Sequence, residues 1–281
     1  MMCAMSRTVF LAGLTALTIF IFSLPTPRGF SISFLDVGQG DAIFIQSPTG
    51  VQVLVDGGAS RAVLRELGAR FPFFDRSLDA VVATHPDQDH IGGLVDVISR
   101  YRTGLFLESG VMSDTSVSHA LNSVLIEQGI PRVLARRGMR ILLGGGAYAD
   151  ILFPDRDVSG LESNTGSVIV RVMYGEHEFM LTGDSPKNIE HYLTSIYGSA
   201  LESDVLKAGH HGSKTSSSEE FVQAVNPKYV IYSRGCDNRY GHPAPETVAI
   251  FKKFSIPTLD TCEHGTITFR SDGKMLRVSK R

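Results

Sequence analysis

Short apolar runs separated by turn residues dominate the chain from Phe30 onward. Runs of that length, bounded by Gly, Pro, Asn and Asp, predict strands. Three come in quick succession, Ser31 to Asp36, Ala42 to Gln46 and Val51 to Asp56, joined by Val37-Gly38-Gln39-Gly40-Asp41 and Ser47-Pro48-Thr49-Gly50. Both joints are turn chemistry, so an antiparallel meander is expected. Gly57-Gly58 ends the third strand, and Ser60 can cap a helix to about Arg70. Leu78 to Ala83 is the next strand, followed by a polar loop and a helix from Gly93 to Tyr101.

The middle of the chain predicts a strand near Gly104 to Leu107, an amphipathic helix from Ser116 to Gln128, and strands at Met139 to Leu143 and Tyr148 to Phe153. Gly144-Gly145-Gly146 reads as a hairpin turn, since it lacks the spacing of a dinucleotide or P-loop fingerprint. A second half then repeats the style of the first. Ser167 to Tyr174 and Glu178 to Thr182 form a hairpin, and a helix from Pro186 to Tyr197 has proline in its first turn. Asp204 to Ala208 is a strand, and Ser217 or Ser218 caps a helix to Val225 with Glu219 and Glu220 in its first turn. Tyr229 to Ser233 is a strand, Pro245 to Phe254 a helix, and Thr266 to Phe269 with Met275 to Val278 a closing hairpin. Strand-rich halves interleaved with helices predict one layered α/β sandwich over residues 29–281, with no linker between the halves.

The first 28 residues follow another pattern. Arg7 precedes Val9 to Leu24, which is apolar apart from Gly13, Thr15, Thr18 and Ser23, and Pro25-Thr26-Pro27-Arg28 breaks the run. This reads as one N-terminal hydrophobic helix, a signal peptide or a membrane anchor. The prolines and the lack of a clear small-x-small cleavage site favour the anchor. The remainder is then extracytoplasmic, membrane-anchored or secreted. A formal net charge of −2 excludes a generic polyanion binder, so any grip on phosphate comes from local basic groups or metal ions. Cys3, Cys236 and Cys262 are too few for a disulfide framework or a thiolate zinc site, though one Cys236–Cys262 bridge is open in an oxidising compartment.

The chemistry concentrates in Thr84-His85-Pro86-Asp87-Gln88-Asp89-His90, directly after a predicted strand and before Gly92-Gly93. Two imidazoles and two carboxylates packed so closely suffer repulsion and desolvation unless a cation joins them. A helix-capping loop needs one carboxylate, Asp87 or Asp89, and leaves both histidines unexplained. Asp56, Asp184 and His210 likewise follow predicted strand ends. Groups scattered in sequence but always at strand ends can meet at one sheet edge.

The order Leu-Val-Asp-Gly-Gly, Thr-His-Pro-Asp-Gln-Asp-His-Ile-Gly-Gly, Leu-Thr-Gly-Asp and Gly-His-His-Gly-Ser resembles the metallo-β-lactamase superfamily. Phe34-Leu35-Asp36-Val37-Gly38-Gln39-Gly40-Asp41 and Tyr240-Gly241-His242-Pro243 narrow the resemblance to the hydrolase-like C-terminal domain of ComEC competence proteins. The resemblance runs from Phe30 to Gly273 and implies an αββα sandwich with a dinuclear metal site at one edge. It places Asp89, His90 and His210 on one metal ion and Asp184 between both. The other ion departs from the family pattern: Asp87 stands where His-x-His-x-Asp-His has its second histidine, and Asn164 stands where another histidine is usual. His85, Asp87, Asp184 and Asn164 would hold it.

Oxygen in place of imidazole shifts preference toward harder cations, so two divalent ions are expected, Mn(II) with Zn(II) as the alternative. Asp56 is expected behind a histidine ligand, holding its other ring nitrogen, or else in an Asx turn. Asp36 and Asp41 either stand behind the ligands too or only fix their turn. Asp89, Asp184, His242 and Lys214 are the candidate catalytic residues. Ser213, Lys214, Tyr240 and His242 are candidate phosphate or leaving-group contacts, Lys214 as a point charge and His242 as donor or general acid. His211, next to a ligand, would point away from the ions if its loop is extended, and stands either behind the ligands or in a purely structural role. His119, His177 and His191 show no acidic company and read as surface or packing residues. Cys262 stands where the family often has aspartate.

The expectation is a metal-dependent hydrolase that cleaves phosphodiesters in DNA or nucleotides outside the cytoplasm, through a metal-bound hydroxide at a dinuclear site. The link to DNA comes from the resemblance alone. Hydrolysis of a small phosphoester, ester or lactone is one alternative, β-lactams being disfavoured by Asp87 and Asn164. A non-catalytic DNA-uptake accessory module is another. The multi-helix channel segment of full-length ComEC is not in this sequence, so DNA transport would need a separately encoded channel partner.

Overall fold

The computed structural model of the chain describes residues 29–71 and 75–281. The anchor or signal expected over residues 1–28 lies outside the described residues. Strands β1 (Phe30–Phe34), β2 (Ile43–Gln46), β3 (Gln52–Val55), β4 (Ser77–Leu78), β5 (Ala80–Ala83), β6 (Arg102–Thr103), β7 (Phe106–Glu108) and β8 (Arg132–Leu134) fill the first part. They are followed by β9 (Arg140–Gly144), β10 (Ala147–Phe153), β11 (Ile169–Tyr174), β12 (His177–Leu181), β13 (Val205–Lys207), β14 (Tyr229–Tyr232), β15 (Thr258–Asp260), β16 (Ile267–Ser271) and β17 (Leu276–Lys280). The helices are α1 (Ala62–Gly68), α2 (Gln88–Arg100), α3 (Ser116–Glu127), α4 (Lys187–Tyr197), α5 (Glu219–Val225), α6 (Pro245–Lys253) and α7 (Thr261–His264).

The first large sheet has the order β17-β16-β1-β2-β3-β5-β7-β8 and the second β15-β14-β13-β12-β11-β10-β9, while β4 and β6 form a separate pair. Period-2 alternation explains how the two large sheets stack. Phe30, Ile32 and Phe34 of β1, with Ile43, Ile45, Val53 and Val55, meet Val170, Val172, Phe179 and Leu181 of the second sheet in a shared core. The intervening Phe44, Leu54 and Val81 face the other way, against Val63, Leu94, Val97 and Leu121 of α1, α2 and α3. Met180, Leu206 and Val230 do the same against α4, α5 and α6. The layers are therefore αββα.

Each sheet changes direction midway. The meander β1-β2-β3 is antiparallel, whereas β3, β5, β7 and β8 run parallel. The second sheet passes from antiparallel β10-β11-β12 to parallel β12-β13-β14-β15. Parallel strands deliver their C-terminal ends to one edge, where α/β sheets place their ligands.

Helix α2 starts at Gln88, five residues before its expected start, because the two glycines are interior. A Cβ on Gly92 would lie 2.4 Å from the Ala59 oxygen, and one on Gly93 would lie 2.1 Å from that of Gly57. They are there for close packing against the turn after β3 rather than to open the helix. That shift puts Asp89 and His90 in the first helical turn. Asp87 sits at the N-cap with no side-chain capping bond, so its carboxylate is left for other partners. The short strands β4, β6, β8 and β15 and helix α7 were not expected, being too brief to carry a periodic signal.

Candidate metal centre

Asp56 follows β3 in a left-handed conformation, φ 58°. That turn aims its carboxylate at the end of β5, where it accepts from the Thr84 amide at 2.8 Å, the Thr84 hydroxyl at 2.7 Å and His90 Nδ1 at 2.8 Å. His90 thus donates from Nδ1 and keeps a lone pair on Nε2. His211 is fixed the same way, with Nδ1 2.9 Å from the Ser233 carbonyl oxygen at the end of β14. His85 Nδ1 lies 3.0 Å from the Thr84 hydroxyl, whose own proton is committed to Asp56, so it too donates.

The Nε2 edges of these rings, and that of His210, turn to Asp184, which follows β12. Its Oδ2 lies 3.3 Å from His90 Nε2, 3.3 Å from His211 Nε2, 3.6 Å from His210 Nε2 and 3.9 Å from His85 Nε2. His90 Nε2 and His211 Nε2 are themselves 3.3 Å apart. In the neutral tautomers these are acceptors facing acceptors, an arrangement that needs a cation or protons between them. Asp41, His90, Asp184 and His211 bring one donor atom each within 4.8 Å of one another, all four buried.

His211 does not point away. The loop after β13 is not extended: His210 and His211 are both left-handed, φ 49° and 55°, which turns the His211 ring inward. His210 is more exposed, with Nδ1 3.2 Å from the Thr215 hydroxyl. Sequence spacing cannot choose between adjacent histidines when the backbone between them reverses.

Lys207, also not anticipated, is fully buried on β13. Its ammonium lies 2.5 Å from Asp41 Oδ2, 2.8 Å from the Gly183 oxygen and 3.3 Å from Asp184 Oδ1. Burial works against its charge, but the carboxylates of Asp41 and Asp184 outweigh it and raise its pKa. Asp41, opposed by burial, is drawn down to about 2 by Lys207 and then His211. Asp41 approaches the two rings on their Nδ1 side, 4.0 Å from His90 and 3.4 Å from His211. It is better placed to hold Lys207 than to join Asp184. Gly40 makes this approach feasible, since a Cβ there would lie 1.9 Å from the Asp89 oxygen.

The far side of Asp184 is looser. His85 Nε2 and Asn164 Oδ1 are both buried without a hydrogen-bond partner. Asp87 Oδ2 lies 3.7 Å from His85 Nε2, and its Oδ1 accepts from the Ser163 hydroxyl at 2.6 Å, which docks the turn carrying Asn164. Asp89, by contrast, belongs with His211 on the tighter side, its Oδ2 3.3 Å from His211 Nε2. Orphaned acceptors beside carboxylates are the donor set of a divalent ion, so the residues fit the expected metals.

The protonation pattern agrees. Burial opposes the imidazolium of His90, but Asp184 and Asp56 overcome it and hold the pKa well above the ordinary value. For His211, Asp184 and Asp41 likewise overcome burial. His85 is driven well below by burial and then by His90, and His210 is lowered chiefly by burial. Positive charge is wanted on the His90 and His211 side of Asp184.

The other candidates sit around this cluster. His242 packs edge-on to His210 with centroids 5.5 Å apart, and Tyr240, largely exposed, stacks on His242 at 5.7 Å. Burial, then His210 and His211, push His242 down to about 4, so at neutral pH it is a neutral imidazole rather than a charged acid. Ser213 is buried and its hydroxyl is 3.0 Å from that of Thr215, which meets His210. Lys214 is exposed. Asp36 accepts from the Gly38 amide at 3.4 Å within its own turn. His119, His177 and His191 do have acidic company: Asp114 at 2.8 Å, Asp204 at 3.4 Å and Glu220 at 3.3 Å. Cys236 and Cys262 form a disulfide, Cα–Cα 4.9 Å, tying the loop after β14 to α7.

Residues 35–235 match the family model described as the metallo-beta-lactamase superfamily. ComE operon protein 3 of Bacillus subtilis is 31% identical over 270 residues, 90% of this chain and 34% of its own length. Competence protein ComA of Neisseria gonorrhoeae is 28% identical over 243 residues, 85% of this chain and 32% of that protein. The chain thus spans about a third of the length of the curated relatives it matches. Among solved structures, the diiron beta-hydroxylase CmlA of Streptomyces venezuelae superposes with TM-score 0.57 at 18% identity, covering 88% of this chain and 55% of CmlA. Igni18, a metallo hydrolase of Ignicoccus hospitalis, gives 0.54 at 13%, covering 86% of this chain and 100% of Igni18. These two show the shared fold. With a family match across most of its length and a relative at 31% identity over 90% of it, the chain belongs to the metallo-beta-lactamase superfamily.

Proposed function

We propose that the chain is a divalent-metal-dependent phosphodiesterase acting on DNA or nucleotides outside the cytoplasm. The observation that carries this reading is the convergence of four imidazole Nε2 atoms on Asp184 Oδ2. Asp184 would stand between two ions, with His90, His211 and Asp89 on one side and His85, Asp87 and Asn164 on the other. His210 lies at the mouth of the first. Divalent ions in these places supply the charge that makes water a nucleophile at neutral pH and offsets charge on a phosphoryl group. The chain's own residues do the rest. Asp56 and Ser233 hold the rings of His90 and His211, Lys207 holds Asp184, and His242 offers one neutral hydrogen bond beside His210. Tyr240 and Lys214 are exposed and free to meet a leaving group or a phosphate.

The link to DNA is supported by relatives named as a competence protein and a recombination protein. The disulfide supports an oxidising compartment. Among the described residues no helix is long and apolar enough to cross a membrane, so membrane attachment would rest on residues 1–28. The test is hydrolysis of linear DNA and of bis(p-nitrophenyl) phosphate by the whole chain in detergent, with Mn(II), Mg(II) or Zn(II), beside Asp184→Asn. Activity with one of the metals, lost in the variant, is expected. Activity that survives the substitution would remove the centre from the reaction.

A further inference from the structure

A cleft of about 630 Å³ opens beside the centre, within the range of small-molecule sites. His85 belongs to both: its Nε2 is an orphan of the cluster and the residue is part of the cleft lining. The floor is apolar, with Phe106 and Leu121 buried, and the rim carries Met112 and Leu134, exposed by 75% and 47%. The polar lining is mostly uncharged, with Asn122 offering both a donor and an acceptor.

The charges lining the cleft are informative. Among the described residues that line it, Arg132 is the one arginine or lysine, and it is paired bidentately with Glu108 through Nε and Nη2 at 3.0 and 2.8 Å. Asp114 adds a carboxylate. A phosphate would find the one cation already balanced by Glu108 and a net negative lining, so anions are disfavoured. An uncharged, partly apolar group with a hydrogen-bonding edge is favoured instead.

We infer that this cleft binds the nucleoside attached to the reacting phosphate, base against the apolar floor and base edge toward Asn122. The inference rests on the phosphodiesterase reading, since it is that reading which puts a phosphate at the cluster beside His85. The substrate then reaches the centre with a single phosphate at the metals and a neutral moiety alongside, so selection falls on the nucleoside.

The experiment compares the metal-loaded whole chain on thymidine p-nitrophenyl phosphate, as its 5′ and its 3′ ester, with methyl p-nitrophenyl phosphate. At least one thymidine ester should be preferred on the order of tenfold in kcat/KM, through KM, and Asn122→Ala should bring that ratio down toward one. Ile126→Ser, on α3 outside the cleft lining, should keep the wild-type ratio. Equal kcat/KM for thymidine and methyl esters overturns the cleft while leaving the phosphodiesterase reading intact. If neither is cut, that reading falls, and calorimetry with thymidine monophosphate against inorganic phosphate decides the cleft. Tighter binding of the nucleotide, lost in Asn122→Ala, supports it; equal binding overturns it.

Discussion

On one side of Asp184, His90 and His211 have both ring nitrogens engaged, one on a fixed acceptor and one on the cluster. On the other side, His85 Nε2 and Asn164 Oδ1 face no partner, and Asp87 is held only by a serine hydroxyl and a distant imidazole. The difference lies in what stands behind the ligands. Groups that orient a ligand raise metal affinity too, by about 10–100-fold. The His90 and His211 side is preorganised by Asp56, Ser233 and Lys207, so it should fill first. The oxygen-rich side should fill later and accept harder ions.

The largest expected effect comes from removing the cation behind the tighter side. Lys207→Met leaves Asp41 and Asp184 buried against each other, and loss of one partner of such a group costs about 3–5 kcal/mol. Urea unfolding of the metal-free protein measures it; a loss under about 1 kcal/mol would mean that water reaches these carboxylates.

A second support lies behind the loop of His210 and His211. Glu190 is buried and accepts from the Ser217 and Ser218 amides at 2.6 and 2.7 Å, yet burial pushes its pKa from 4.5 up to about 7. The fold therefore holds that proton more tightly than the unfolded chain does. Its stabilising contribution is complete below about pH 4.5 and is lost as pH rises to about 7, a change of about 3 kcal/mol. Stability curves across that window should slope for the wild type and flatten by that amount in Glu190→Gln. Parallel curves would show that the glutamate is ionised throughout.

Asp56→Asn weakens the bond that fixes the His90 tautomer, and affinity for the first ion should fall about 10–100-fold while the second is less affected. Equal loss at both would erase the asymmetry. The smallest effect is on selectivity: Asp87→His should move the looser side toward zinc over manganese, about tenfold. Competition binding reads it, and an unchanged preference would show that Asp87 does not touch that ion.

The same contrast explains what could be read from the chain alone. Short apolar runs between turn residues marked the meander and the layered sandwich because the central strands, such as β3 and β5, are buried along their whole length. The His85 to His90 loop was legible since its residues are neighbours in sequence. Lys207 was not, because a lysine in Val205-Leu206-Lys207 looks like an edge position until Asp41, far away in sequence, arrives beside it. The one available signal was that a charge in an otherwise buried strand demands a partner. His211 was hidden by the left-handed loop, and the partners Asp204 and Glu220 of His177 and His191 are likewise distant in sequence.

Two unequal cation sites would share Asp184. Calorimetric titration of the metal-free chain with Mn(II) and with Zn(II) tests this most directly. Two binding steps are expected, the first tighter by about tenfold or more and weakened by Asp56→Asn. Both should be lost in Asp184→Asn. A single step, or two that survive that substitution, would contradict the account.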